Sequence, residues 1–561
     1  MLASCPVTAR NRYGQRGGRC TLADVRGPLA GATRPRWDPR EEACVRVLTL
    51  DGRLVTRNLV EILHDADELR TVEGQTPGEK VAVIEFLLAI CYAAGVYPAS
   101  AADWPAWVDK EHALRPAAEW LTQRPDDEIW DLFHPTHPLG QNALLAPFLD
   151  EHGAGPAQLV IERVGDYNQF FDHHHLDHSS PLPVAEAFRA MLTQHVYGPA
   201  GRARISGKAT LGATITNLAA TRLGTRIRVI ALGATLGETL RLNLSPVAGP
   251  PGELNLSWTT GKERRGFTRK PDARPVSGPA DLHSYLGRSV LLRPTRHGDA
   301  VDRVLLGAGE LLALRSEHMQ DAVYAKKTDG SVKPLWASAT RAVWREAHAL
   351  YAAVDKARSS EARNDGSTLY RRLALFPPQD VAPEPGQQPA RRIELWTVGL
   401  VAKQTTAITW VDGTFPFAPG LEARLYHASF RGSELAEFVA SALYKAAYAA
   451  WTVAYPNPKP ADKAGQIARF DARGRHWAAT REPFDLLMDD TTVGEPVQES
   501  LLDFAAGVSA DARRFLTESL DSLPRNSQGV KARAAALRRF DDELASPKAP
   551  AEFQELRKER A

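Results

Sequence analysis

The residues best suited to chemistry lie in one short segment, "YNQFFDHHHLDHSSP" (167–181). It contains four histidines and two aspartates behind a pair of phenylalanines. Imidazole and carboxylate groups bind divalent metals and move protons near neutral pH, so a metal-dependent hydrolase centred on His173, His175 and His178 is one hypothesis. Neighbouring side chains diverge in helices and in strands, so at most two of these histidines can reach one ion. A solvated loop and a contact loop with an aromatic anchor are the alternatives.

Motifs for other catalytic chemistry are missing from the sequence. There is no GxSxG nucleophile elbow, no GxxxxGK[ST] or GxGxxG phosphate loop, and no cysteine beside a plausible histidine partner. The four cysteines, Cys5, Cys20, Cys44 and Cys91, are scattered without a CxxC pair. That spacing excludes a disulfide framework and a thiolate zinc site, and it is typical of a reducing cytosol. The sequence therefore contains nothing on which to base a reaction.

Length and composition indicate a globular protein of two or three domains. The chain has 561 residues, of which 43% are hydrophobic and 24% charged. The longest apolar run, "FLLAICYAAGVY" (86–97), is far shorter than the roughly 20 residues that span a bilayer, so no membrane partner is expected. Residues 1–40 carry eight arginines, two aspartates and no apolar core segment. We expect a basic, disordered extension there rather than a signal peptide, and a cytoplasmic protein.

Positive charge is concentrated in one part of the chain. The formal net charge is only +2, but residues 196–303 contain seventeen Lys and Arg against seven Asp and Glu, a local balance of +10. A solvated surface explains such a stretch as readily as a binding surface does. A cationic zone of this length on a near-neutral protein nevertheless suggests a localised site for a polyanion.

Within this zone, "VYGPAGRARISGKATLGATITNL" (196–218) alternates glycines with cations. Glycine lets the backbone approach a surface closely, and its N–H groups can meet phosphate oxygens. The interleaved cations would add sequence-independent attraction to nucleic acid, weakened by salt. A flexible surface loop with incidental charge is the alternative. The residues concerned are Gly198, Gly201, Gly207, Gly212, Arg202, Arg204 and Lys208.

Local signals predict the elements that must position these segments. In the N-terminal region, alternation around the Asp-Gly pair at 51–52 predicts a hairpin that leads into a helix. Thr76 and Pro77 predict the start of a second helix, with Glu79 completing a capping box and the end near Gly95. β-branched residues predict strands across 211–244. Shorter strands are expected at "RSVLLRP" and "DRVLLGA".

The C-terminal region differs from the N-terminal region in its pattern of polar and apolar residues. Breaks rich in proline and glycine fall at 246–252 and 376–392. Beyond residue 420 an amphipathic segment begins, for which we expect Ser433 to be the cap. Further helical patterns follow at 461–490, 495–520 and 528–546, which together predict an antiparallel four-helix bundle. The predicted fold class is α+β, with a mixed N-terminal domain of short strands and helices followed by that bundle.

Several segments, taken in order, resemble the CasA family, the large subunit of the type I-E CRISPR surveillance complex Cascade. The similarity extends from about residue 45 to the end of the chain. The resembling segments are "EILHDADELRTVEGQTPGEKVAVIEFLLAI", "DLFHPTHPLGQ", "NQFFDHHH", "YGPAGRARISGKATLGATITNL", "LGATLGETLRLNL", "GRSVLLRP" and "ELWTVGLVAKQTTAITWVDGTFPF".

The resemblance implies a non-catalytic DNA-binding and recruitment subunit without cofactors. Family members recognise the protospacer-adjacent motif (PAM) in double-stranded DNA, start strand separation and R-loop formation, and dock a separate helicase-nuclease in antiviral defence. Their partners are the target DNA and the crRNA-containing backbone and small subunits of Cascade. The implied domains are an extension (1–40), an α+β domain for PAM recognition (41–390), a hairpin connection (391–419) and the bundle (420–561).

Family roles fall on four places in this sequence. The loop with the aromatic anchor, near the crRNA 5′ end and the PAM, resembles Phe171, Asp172 and His173. The glycine loop of the minor groove resembles 198–204, followed by Lys208. The hairpin with the wedge side chain resembles "VAKQTT", with Lys403, Gln404 and Thr405 as candidates. A further basic DNA contact is expected at Arg296.

Two departures from the family pattern change the expectations. Some members carry a cysteine-rich zinc insertion, and none is predicted here because the cysteines are not clustered. The glycine loop reads "GPAGRAR", so Pro199 and Ala200 are expected to stiffen it and narrow PAM tolerance. Besides the hydrolase, a helical scaffold protein without a nucleic-acid role is a third hypothesis.

Overall fold

Helices and short antiparallel strands alternate along most of the chain. The computed structural model describes residues 35–123, 127–163, 180–203, 213–224, 226–258, 272–326, 332–339, 342–359, 366–378, 391–404, 406–456 and 462–559. No helix in these ranges is long and apolar enough to cross a membrane. The α+β class predicted from the sequence is confirmed, with small sheets and a helical C-terminal region.

The first sheet forms around the predicted Asp-Gly turn. Strands β1 (Val45–Thr49), β2 (Leu54–Arg57) and β3 (Leu69–Glu73) pair antiparallel in the order β2-β1-β3. Gly52 has a φ of +83°, which glycine adopts without steric cost. Helix α1 (Leu59–His64) then begins at a capping box, in which the Glu61 N–H donates to the Asn58 side chain at 2.8 Å. The predicted hairpin and helix are confirmed.

Helix α2 (Pro77–Ala93) lies at the centre of the N-terminal part. The Glu79 N–H donates to Thr76 Oγ1 at 3.2 Å, and the chain leaves the helix before Gly95, as predicted. The prediction that Glu79 completes a capping box is wrong. Its carboxylate accepts from Arg189 Nε at 2.5 Å, because α2 buries this face against α6 (Val184–Tyr197) and a buried carboxylate there requires a cationic partner.

The segment 211–244 is less extended than predicted. Besides a helical turn, α7 (Ala213–Thr216), it holds β6 (Asn217–Leu218), β7 (Arg228–Leu232) and helix α8 (Leu236–Asn243). The prediction of strands is therefore wrong for α7 and α8. Thr235 caps that helix, accepting from the Glu238 N–H at 3.0 Å.

The remaining elements before the bundle are short. The helices are α3 (Trp104–Val108), α4 (Arg115–Gln123), α5 (Ala146–His152), α9 (Pro279–His283), α10 (Ala347–Ser359) and α11 (Leu369–Leu373). The strands are β4 (Leu182–Pro183), β5 (Gly201–Arg202), β8 (Arg288–Pro294), β9 (Ala300–Ala308), β10 (Tyr324–Lys326), β11 (Val332–Pro334), β12 (Ile393–Lys403) and β13 (Thr406–Phe417). They form antiparallel sheets in the orders β4-β9-β8, β5-β6, β10-β11 and β13-β12-β7. Strands β8 and β9 confirm the predictions for "RSVLLRP" and "DRVLLGA".

The sheet β13-β12-β7 lies between two hydrophobic cores. Along β12, Trp396 and Val398 belong to the core that contains α2, whereas Ile393 and Leu395 belong to the core of the C-terminal helices. Alternate residues of a strand point to opposite faces, so both faces of this sheet are packed. The β12–β13 hairpin is therefore anchored on two sides before its tip reaches solvent.

Four long helices form the predicted C-terminal bundle. They are α12 (Glu422–Ala454), α15 (Arg481–Val493), α16 (Val497–Ser519) and α17 (Ser527–Leu544), joined by the shorter α13 (Lys463–Ala468) and α14 (Arg473–Ala479) and followed by α18 (Ala551–Glu559). Helix α12 packs against the other three long helices. The prediction that Ser433 is the cap is wrong, because α12 begins at Glu422 and Ser433 is buried inside it. The predicted domain boundaries stay predictions.

Candidate nucleic-acid interface

The base of the glycine loop is held by one buried arginine. We use "glycine loop" for residues 198–203, which directly follow α6. Arg288, at the start of β8, donates from Nη2 to the Pro199 carbonyl at 2.7 Å and from Nη1 to the Ala219 carbonyl at 2.8 Å. Burial lowers the pKa of Arg288 to about 10, so it stays charged near neutral pH. This guanidinium acts as a clamp that fixes the loop to the sheet.

The outer side of the glycine loop pairs with a neighbouring strand and leaves one cation exposed. Strand β5 pairs with β6, and the Ala203 N–H donates to the Thr216 carbonyl at 2.8 Å. Gly201 has a φ of +153°, which side-chain-bearing residues rarely adopt. Arg202 is exposed and has no carboxylate partner in the described part of the chain. Of the other predicted contacts here, Arg204 and Lys208 lie outside the described residues.

A buried histidine connects the helix before the glycine loop to the strand that clamps it. His195 contacts the Gly140 carbonyl through Nε2 at 2.8 Å, and the Arg288 N–H donates to its Nδ1 at 3.2 Å. Burial lowers the pKa of His195 to about 4, so the ring is neutral near pH 7. The neutral ring can accept at one nitrogen and donate at the other, as these two contacts require.

Replacing Gly198 with alanine is expected to displace the glycine loop. A Cβ at this position would lie 2.6 Å from Arg288 Cζ, and the guanidinium cannot retreat without breaking its carbonyl contacts. We expect a loss of about 1–3 kcal/mol in the free energy of unfolding, together with weaker binding of duplex DNA. Urea titration and DNA affinity measure the two effects.

The matched control for this substitution is Gly507→Ala in α16. Nothing lies within 4 Å of a Cβ on Gly507, and alanine is the better helix former there. We expect Gly507→Ala to raise stability by about 0.5–1 kcal/mol without changing DNA binding. If Gly198→Ala and Gly507→Ala change the free energy of unfolding and the DNA affinity equally, the proposed role of the Arg288 clamp is contradicted.

The tip of the β12–β13 hairpin follows Lys403 and includes Gln404. The last pair in register is Lys403 with Thr406. Gln404 has a φ of +55°, in the left-handed region that residues other than glycine, asparagine and aspartate rarely adopt. Lys403 and Gln404 are both exposed, and so is Ile408, at 54% of its maximum. Thr405, the third candidate at this tip, lies outside the described residues.

Trp410 on β13 joins the hairpin to the base of the glycine loop, a role that the sequence did not reveal. Its indole lies 4.8 Å, centroid to centroid, from the ring of Tyr197 at an interplanar angle of 90°. Its Nε1 donates to Glu162 Oε1 at 2.6 Å, and a Cβ on Gly78 would overlap the indole. Because Tyr197 directly precedes Gly198, the two segments predicted to touch DNA share one packing contact.

Arg296 lies apart from these two segments. It is exposed in the turn between β8 and β9, without a carboxylate partner among the residues that the structure places. The clamp Arg288 begins β8, whereas Arg296 follows its end, and seven residues of strand separate these ends by roughly 20 Å. The structure therefore brings the hairpin and the glycine loop together at their bases but does not bring Arg296 to them.

The histidine segment lies outside the described residues, including the predicted contacts Phe171, Asp172 and His173. The proposed hydrolase residues His175 and His178 lie there as well. Across the ranges that are described, no group of three or more histidine, cysteine, aspartate or glutamate side chains could hold a metal ion. Nothing in those ranges supports the hydrolase hypothesis.

Comparisons with known proteins identify relatives of the chain. The model of the family CRISPR-associated protein Cse1 matches residues 41–518. CRISPR-associated protein CasA/Cse1 of Thermus thermophilus is 27% identical over 306 residues, which are 53% of this chain and 57% of that protein. That match thus spans less than two thirds of the relative's length.

Solved structures share the fold. The structure of Thermus thermophilus CasA (Cse1) has a TM-score of 0.68 at 20% identity, covering 91% of this chain and 100% of that one. A chain of a CRISPR RNA-guided surveillance complex has a TM-score of 0.64 at 21% identity, covering 91% of this chain and 100% of that one. With a family match over most of its length, the chain belongs to the CRISPR-associated protein Cse1 family.

Proposed function

We propose that this chain is the large subunit of a type I-E CRISPR RNA-guided surveillance complex, Cascade. In this role it recognises the PAM in double-stranded DNA and begins the strand separation that leads to an R-loop. The observation that carries the proposal is the contact of Trp410 with Tyr197, which couples an exposed hairpin tip to a glycine loop with an exposed arginine. Family membership supports the same reading.

The glycine loop supplies the chemistry of PAM binding. Glycine at 198 and 201 allows the backbone to approach a groove closely, and Arg202 can neutralise a phosphate beside it. The minor groove distinguishes A·T from G·C but little else. Such a loop suits a short, permissive motif, while the guide RNA reads the remaining sequence by pairing, as in other RNA-guided effectors.

The β12–β13 hairpin separates the strands of the duplex. Separating a base step costs roughly a few kcal/mol, which a wedge must offset with contacts made only in the opened state. The packed faces of β12 and β13 hold the tip at a fixed place, so inserting Gln404 does not merely bend the hairpin away. Lys403 beside it can hold a phosphate of the displaced strand.

The remaining roles follow from the proposed assembly. The segment containing Phe171, Asp172 and His173 contacts the crRNA 5′ end and the PAM. The crRNA-containing backbone and small subunits surround the chain, and a helicase-nuclease recruited in trans degrades the target in cytoplasmic antiviral defence. The chain itself carries out no covalent step.

The test is charge neutralisation at the glycine loop within the assembled complex. In the variant Arg202→Gln/Arg204→Gln/Lys208→Gln, affinity for a PAM-containing duplex should fall at least tenfold at physiological salt. The slope of log affinity against log salt should shrink by about 3, because about 0.9 counterions are released per neutralised phosphate.

A matched triple variant on the bundle controls for net charge. Arg525, Lys531 and Arg538 are exposed on or beside α17, and neutralising them removes the same three charges. The proposal predicts wild-type affinity and salt slope for Arg525→Gln/Lys531→Gln/Arg538→Gln. If the loop variant binds duplex DNA as tightly as the wild type, or if both triples lose affinity equally, the scaffold hypothesis takes its place.

A further inference from the structure

Four arginines cluster in the interior between the two cores. We call them the buried arginine cluster: Arg222, Arg226, Arg228 and Arg372. Their side chains are each at most 7% exposed. They come from the segment before β7, from β7 itself and from α11, so the fold rather than one local motif brings them together.

Two carboxylates face these four cations. Asp321 accepts from Arg226 through two bonds of 3.0 and 2.9 Å and forms an ion pair with Arg228 at 3.2 Å. Glu85 of α2 pairs with Arg228 at 2.8 Å and with Arg222. Within the described part of the chain, Arg372 contacts only uncharged acceptors, the Gln320 side chain at 3.3 Å and the Gly366 carbonyl at 3.1 Å. The cluster therefore has a surplus of two positive charges.

The neighbouring titratable groups do not remove this surplus. Burial lowers the pKa of Arg222 to about 9 and that of Arg372 to about 10, so both guanidiniums remain charged near pH 7. His283 donates to Glu85 from Nδ1 at 2.7 Å, and burial holds its pKa well below the usual range, so this ring adds no charge. Surplus charge in a low-dielectric interior is costly unless an opposite charge accompanies it.

A cavity of about 20 Å³ lies among these groups. It is lined by Arg222, Arg228 and Arg372, together with His283, Gln320 and Asp321. The Nε–H groups of Arg222 and Arg372 are buried and have no acceptor among the residues described. A cavity of this size admits one body about as large as a water molecule, and several guanidinium N–H groups at its wall favour an anion over water.

We propose that this cavity binds a single monatomic anion, of which chloride is the physiological example. A halide fits the volume, accepts from the unpartnered N–H groups and offsets part of the surplus charge. Sulfate, phosphate and carboxylates carry several heavy atoms and exceed the space. The site would stabilise the junction of α2, β7 and α11 that supports the β12–β13 hairpin, and it does not depend on the proposed function.

Thermal unfolding of the full chain tests the site with chloride as the probe. At constant ionic strength and pH 7.5, replacing sulfate with chloride should raise the unfolding midpoint saturably, by about 2 °C at a hundredfold excess over the dissociation constant. General salt effects have the opposite sign, because sulfate stabilises proteins more than chloride does. A midpoint shift equal to that of the variant Arg372→Met, which lacks part of the site and reports the general salt effect alone, would overturn the proposal.

Substitution and diffraction supply independent readouts. Arg372→Met removes one surplus charge and part of the cavity wall, so its midpoint should not rise when chloride replaces sulfate, whereas Arg538→Met on exposed α17 should respond like the wild type. Crystals of the wild type grown in bromide should show one anomalous peak between Arg222 and Arg372. A chloride-dependent rise retained in Arg372→Met would refute the assignment. If Arg372→Met folds poorly, the wild-type crystals still test the site, because electron density for water without a bromide peak would refute it.

Discussion

Replacing Gln404 with glycine should make the isolated protein more stable and its complex worse at opening DNA. Gln404 has a φ of +55°, a left-handed conformation that costs an ordinary residue about 1 kcal/mol and glycine almost nothing. The same substitution removes the side chain proposed to enter the duplex. We expect a gain of about 1 kcal/mol in the free energy of unfolding and a fall of about tenfold or more in the rate of strand opening. Urea titration measures the first, and fluorescence of an unstacked base analogue beside the PAM measures the second.

The opposite signs make this experiment informative. Loss of opening in a destabilised variant could reflect a damaged fold, but loss in a stabilised variant cannot. Gln404→Asn is the matched control, because asparagine tolerates the left-handed region and keeps a shorter amide. It should retain stability and lose only part of the opening rate. Wild-type opening by Gln404→Gly would remove Gln404 from the mechanism, leaving Lys403 or the exposed Ile408 to act at the tip.

Signals carried by residues close together in sequence predicted local structure correctly. The turn at 51–52 and the helix start at Thr76 and Pro77 each depend on groups within a few residues of one another, and both are present. The same kind of signal is present at Thr235 and Glu238, where a T-x-x-E pattern marks the start of α8 amid β-branched residues. The sequence alone therefore contains the signal for this helix.

At two other positions the structure depends on residues far away in the chain. Gly432 before Ser433 resembles a break, yet a Cβ on Gly432 would lie 2.8 Å from Leu487 Cδ2. The glycine permits close packing of α12 on α15 and does not end a helix. The Glu79 carboxylate likewise pairs with Arg189, 110 residues later in the chain, and not with the backbone at the N-terminus of its own helix. Tertiary contacts decided both positions, and no local pattern encodes them.

For the candidate site, the sequence indicated the segments that face solvent but not what holds them. Composition and a resemblance to a family both indicate the glycine loop, whereas the resemblance alone indicates the hairpin tip. Arg288 and Trp410 lay within resembling segments, but their roles emerge only from contacts to residues at 199 and 197. Exposed contacts leave a compositional signal, whereas the buried residues that position them resemble any other core residue.

Trp410→Ala is expected to impair both candidate DNA contacts at once. The indole packs against Tyr197 at the base of the glycine loop, fills the space over Gly78 and donates to Glu162 at 2.6 Å. It is only half-buried, so we expect a loss of about 2–3 kcal/mol in the free energy of unfolding, below the range for a fully buried tryptophan. We also expect roughly tenfold losses in both duplex affinity and strand opening.

The readout that separates coupling from simple destabilisation is a double-mutant cycle with Tyr197→Ala. If the two rings act as one joint between hairpin and loop, the double variant should lose hardly more affinity than either single variant. Trp410→Phe keeps a ring against Tyr197 but loses the bond to Glu162, so it should preserve affinity while losing some stability. Additive losses in the cycle, or a Trp410→Ala complex that is less stable yet binds and opens DNA like the wild type, would show that hairpin and loop act independently. In that case the β12–β13 hairpin and the glycine loop would contact DNA independently of each other. The 4.8 Å contact between Trp410 and Tyr197 would then stabilise only the fold.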